Sequence, residues 1–67
     1  MQEVVTYDML DVILTPTQKR RWVAWRAGAR IAEIADAEGV TQGAVHESLA
    51  AARRRVAKAI RRQHEEE

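Results

Sequence analysis

Residues 30 to 55, RIAEIADAEGVTQGAVHESLAAARRR, constrain this chain more than any other stretch, because their spacing fits two helices joined by a tight turn and little else. Ile31, Ile34 and Ala35 stand at i, i+3 and i+4 on one helix face. Gly39 then falls where the backbone must enter the left-handed region, which glycine does without a Cβ penalty. The first helix therefore spans residues 30–38. Thr41 is a good N-cap, its hydroxyl able to accept from an amide two or three residues on, so a second helix starts at Gln42. Val45 and Leu49 are its buried anchors, and the small side chain at Ala35 lets the two helices approach closely.

The order Ala35, Gly39, Val40, Thr41, Gln42, Val45, Leu49 resembles the helix-turn-helix of phage repressor and Cro proteins. AEIADAEGVTQGAV followed by LAAARRRV resembles region 4 of sigma-70-type factors. Both resemblances imply an all-α domain of three to four helices whose long C-terminal recognition helix enters the major groove of double-stranded DNA. The resemblance makes Gln42 the opening residue of that helix, with an amide able to pair bidentately with adenine. His46 can donate to guanine, Glu47 can accept from cytosine, Ala44 can touch a thymine methyl, and Gly43 permits close approach. Thr41 and the helix N-terminus suit a phosphate, flanked by Arg30, Lys19, Arg20 and Arg26. Arg53 and Arg54 join this backbone set or serve the solvent face of the last helix.

Upstream, Thr15-Pro16-Thr17-Gln18 is a strong helix start: a threonine cap, proline at the first position and glutamine at the third. This helix runs over residues 15–28 and ends at Gly28. Trp22 and Trp25, three residues apart, are read as its core side chains rather than as stacking platforms for bases. Residues 1–14 are apolar; Tyr7, Leu10 and Leu14 share a helical face with Thr6 as a cap, while Val4 and Val5 suit an extended arm. A short helix is the favoured reading.

After Thr41 no proline interrupts the chain, so the last helix is expected over 41–64, roughly 35 Å at the usual rise. Val45, Leu49, Ala52, Val56 and Ala59 step by four and three, a heptad seam that Ile60 broadens. Its inner half should cover the preceding helices. Its outer half, Val56 and Ile60, needs another partner: Leu10, Ile13 and their neighbours in residues 4–14, or a second chain. The expectation leans to a homodimer.

The net charge of +1 conceals a segregation. Residues 19 to 62 hold all 11 Lys and Arg against four carboxylates, a surplus of seven, while Glu3, Asp8, Asp11 and the three terminal glutamates make both ends acidic. A basic body between acidic ends suits phosphate binding. With 67 residues the chain makes a single domain of marginal stability. No cysteine is present, so neither a disulfide nor a thiolate metal site is expected, and no cofactor is implied. No signal peptide and no apolar run of membrane-spanning length stands out, and a cytoplasmic protein without a membrane partner is expected. His46, His64 and Ser48 form no catalytic pattern, so no enzyme is expected.

The leading expectation is a small phage-like transcriptional regulator. A second reading is a protein-interaction module docking on RNA polymerase or a partner regulator, since sigma region 4 binds polymerase as well as DNA and since His46, Glu47 and Ser48 stand where that family carries basic residues. A third is the DNA-recognition subunit of a phage packaging terminase, which LTPTQ before a basic helix resembles.

Overall fold

The computed structural model describes residues 7–65 and consists, among them, of four helices and no strand: α1 (Tyr7–Ile13), α2 (Pro16–Arg26), α3 (Ile31–Glu38) and α4 (Gln42–Glu65). Each boundary follows from a local signal. Thr15 Oγ1 accepts from the Gln18 amide at 3.2 Å, and Gln18 Oε1 accepts from the Thr15 amide at 3.2 Å, completing a reciprocal cap. Proline at the first helical position removes an amide that would have had no partner.

Two glycines end the middle helices in the same way. Gly28 (φ +108°) and Gly39 (φ +68°) occupy the left-handed region. In each case the amide of the next residue reaches five residues back, Ala29 to the Ala24 carbonyl and Val40 to the Ala35 carbonyl, both at 3.0 Å. The glycine amides close the inner bonds to Trp25 and Asp36. This Schellman arrangement satisfies the last carbonyls of α2 and α3 and reverses the chain within three residues. A methyl at position 39 would meet no atom within 4 Å, so Gly39→Ala tests conformation alone. It is expected to cost about 1 kcal/mol, a fall in Tm of about 4–8 °C, with Gly39→Asn closer to wild type. Equal melting of all three proteins would contradict it.

The helices enclose two apolar clusters. Ile34, Ala35, Val45 and Leu49 join α3 to the first half of α4, with Ala24, Ala29 and Ile31 against them. Leu10, Leu14, Ala52 and Val56 join α1 and the residue after it to the middle of α4, with Ile13, Val23 and Ile60 alongside. Trp22 packs against both. Val45, wholly buried, sits at the centre of the first cluster as expected.

The second cluster decides what covers the outer half of α4. Val56 and Ile60, assigned by sequence to either residues 4–14 or a second chain with preference for the latter, pack against α1 of the same chain. Leu10 and Leu14, one turn apart, form the apolar stripe that makes this possible, and the two-residue link Leu14–Thr15 folds α1 back alongside α2 and α4. Within the chain α1 packs on one side of this seam, and the other side of Val56 and Ile60 borders an open depression beside Trp22. The proposed cap at Thr6 lies outside the described residues. Among the described residues, no helix is long and apolar enough to cross a membrane.

Candidate nucleic-acid interface

The first two turns of α4 present the side chains that the sequence singled out. Thr41 Oγ1 accepts from the Ala44 amide at 3.1 Å, which fixes where α4 starts and leaves the hydroxyl proton free to donate outward. Thr41, Gln42, Gly43, His46 and Glu47 are exposed. At 100° per residue the last four fan over about 140° of the helix circumference, from Gln42, about 60° from buried Val45, to Glu47 on the side opposite it. Ala44 falls on the other flank and is half-buried, so the expected contact with a thymine methyl is the least accessible of the five. The cationic end of the helix dipole lies at the same place, adding to any anion's attraction.

What holds this turn in place is a network that the sequence reading passed over. Arg21 is the buried residue of α2, only 8% exposed, and it is a cation. Its Nε lies 3.0 and 3.1 Å from the two Glu38 carboxylate oxygens, its Nη2 donates to Glu38 at 2.9 Å, and its Nη1 donates to Ser48 Oγ at 2.5 Å. Arg20 Nη2 adds a further bond to Glu38 at 2.9 Å. One guanidinium thus ties α2, the end of α3 and the second turn of α4 together. Glu38 needs it: a carboxylate at a helix C-terminus faces the negative end of the dipole. The signal for this pairing was an acidic final residue before Gly39 and a paired arginine in the helix before, but nothing local joins positions 17 residues apart.

Hydrogen bonds from Arg21 and then Arg20 lower the Glu38 pKa from 4.5 to about 2. Because the folded value lies below the unfolded one, the carboxylate's contribution is complete above about 4.5 and is lost as pH falls toward 2. Melting temperature is therefore expected to decline through that window, and Glu38→Gln should flatten the decline while lowering the plateau. Thermal melts across the acid range check this; parallel curves for both proteins would refute it.

The cations of the expected phosphate set divide into two groups. Lys19 is paired with Asp11 at 2.5 Å and Arg20 with Glu38, so two of the expected phosphate contacts are already engaged within the chain. Arg26, Arg30, Arg53 and Arg54 are exposed and form no ion pair among the described residues. Arg30 precedes α3, where its backbone amide donates to Glu33 at 2.9 Å while its side chain stays in solvent. Arg55, absent from the sequence reading, reaches the Ile13 carbonyl and Gln18 at 3.5 Å and braces α4 against the α1–α2 link.

Trp25 departs from its expected core role. It is 39% exposed, beside half-buried Trp22, with ring centroids 5.7 Å apart and planes tilted by 48°. Compared with known proteins, this chain matches no family, no curated protein and no solved structure.

Proposed function

We propose that this protein is a helix-turn-helix reader of double-stranded DNA, α3 lying across the backbone and the first turns of α4 entering the major groove. The observation that carries the reading is the Thr41-capped turn. It exposes Gln42, Gly43, His46 and Glu47 on one side of a helix rigidly seated by Val45, Leu49 and the Arg21 clamp. Gln42 is assigned the bidentate contact to adenine, His46 and Glu47 the neighbouring base edges, and Thr41 with the α4 amides one phosphate. Arg30, Arg53 and Arg54 supply further backbone contacts; Lys19 and Arg20 contribute only by exchanging a carboxylate for a phosphate.

Few side chains of one copy reach bases, so the reading includes two copies on half-sites about 34 Å apart. Because α1 packs against the Val56–Ile60 seam within one copy, that seam is not assigned as their contact. A regulator of transcription is the role that such a reader fills most simply.

Selection from a randomised duplex pool tests the proposal. A two-fold motif is expected to emerge for the wild type. Gln42→Ala should relax it at one base pair per half-site, at a cost of about 1–3 kcal/mol against the selected sequence. Absence of enrichment for the wild type, with only salt-sensitive pooled binding, would refute sequence reading.

A further inference from the structure

A trough runs along one flank of α4, and its chemistry is unlike that of the turn described above. It consists of two adjoining depressions that share Trp22 and Arg53 as walls. One, of about 320 Å³, has Trp25, Leu49 and Arg54 on its lining; the other, of about 430 Å³, has Arg26, Val56 and Ile60. Its floor is therefore the apolar side chains of α4 and an indole pair, and its rim is three arginines. No carboxylate lines either depression. Arg26, Arg53 and Arg54 make neither an ion pair nor a ring contact among the described residues.

That combination is costly without a purpose. An indole left 39% exposed forgoes burial that a domain with only two tryptophans would otherwise use. Three guanidinium groups around an apolar floor repel one another without a counter-charge. Exposed aromatic and arginine side chains around a hollow are the composition of protein–protein hot spots. An anionic occupant satisfies the rim, and an apolar face satisfies the floor. Duplex DNA meets the first requirement but has no apolar side chains to fill the second.

We propose that this trough is a docking site for an acidic amphipathic helix of a partner protein, its Asp or Glu side chains on Arg26, Arg53 and Arg54 and its apolar stripe on Trp22 and Trp25. The floor runs from Leu49 to Ile60, with His46 and Ala50 extending it toward the start of α4. From residue 46 to residue 60 a helix rises about 21 Å, so about 14 partner residues fill the length. Because Arg53 and Arg54 also belong to the proposed phosphate set, the docked helix competes with DNA there. This inference rests on the trough and stands whether or not α4 reads bases.

The test uses the full chain and a synthetic, tryptophan-free peptide of about 14 residues with Glu on one helical face and Leu and Phe on the other. The controls are the same composition in an order that destroys the stripe, and polyglutamate of equal length. Affinity is measured by calorimetry, and location by NMR of the two indole N–H groups, which are the protein's only tryptophan signals. The amphipathic peptide is expected to bind saturably and shift both indole resonances. Arg53→Glu, at an exposed position, and Trp25→Ala should each weaken binding about tenfold or more, with the fold verified by circular dichroism. Arg62→Glu, exposed but outside the trough, should bind as wild type. Equal binding of the scrambled peptide or polyglutamate would overturn the proposal, reducing the site to net charge. Indole shifts produced by self-association in the absence of peptide would also overturn it by naming a different occupant.

Discussion

Arg21→Ala is expected to lower the melting temperature by about 10–20 °C. The side chain is buried, holds both Glu38 oxygens and reaches Ser48, so its removal cuts α4 out of the polar link and leaves α2 joined to Glu38 only through Arg20. The loss is larger than the deleted bonds alone suggest. Glu38 stays at the helix C-terminus, its side chain only 16% exposed, with Arg20 as its sole remaining cation. The rest of α2 has little with which to compensate, because Trp22, Val23 and Ala24 are only half-buried and Trp25 is exposed.

The double variant separates charge pairing from packing. Arg21→Met with Glu38→Met fills similar volume without leaving either charge alone, and replacing a whole buried pair is often neutral. It should recover most of what Arg21→Ala loses, whereas Arg21→Met alone should not. Calorimetric or circular-dichroism melts of the four proteins decide the matter. If Arg21→Ala melts within about 3 °C of wild type, the clamp has no structural weight and α2 is held by its indoles alone.

The turns were legible because their causes are local. Thr15 to Gln18, Gly28, Gly39 and Thr41 each act within a few residues, and a threonine followed by proline, or a glycine after an apolar face, carries its geometry in the type of side chain. The heptad seam of α4 was legible as well, since Val45, Leu49, Ala52 and Val56 are buried in that order. Its partner was not. Periodicity shows that a face is covered and is silent on which segment covers it, so α1 and a second chain looked alike from Leu10, Ile13, Val56 and Ile60.

The same limit hid Arg21. Among eleven basic residues, nothing in its neighbours distinguishes it from Arg20, and only the three-dimensional approach of Glu38 and Ser48 does so. Trp25 failed for the opposite reason: a large aromatic in a small domain is sensibly assigned to the core, but α2 turns only one tryptophan inward, and Trp22 takes the place between the two clusters. The candidate base-reading residues were legible as exposed positions on a capped helix start. Their ligand is a matter of chemistry that exposure does not encode.

Reversing two charges at once, Arg53→Glu with Arg54→Glu, should have the largest effect on DNA affinity, about 100- to 1,000-fold at roughly 0.1 M salt. Both side chains are exposed and free of ion pairs among the described residues, so their charge is available to a phosphate without first breaking an internal bond. If about six phosphates are neutralised in all, log K falls against log salt with a slope of about −5.4, and deleting two contacts should bring it to about −3.6. Lys19→Ala is the contrasting case. Its ammonium is held by Asp11, so its loss should change affinity by less than about threefold. Gln42→Ala should leave the salt slope unchanged and weaken only the selected sequence, because an amide releases no counterions. The three variants thus separate positioning from reading on one plot of log K against log salt. A double reversal that left slope and affinity intact would place the phosphates elsewhere on the molecule, and α4 would no longer be the element lying in the groove.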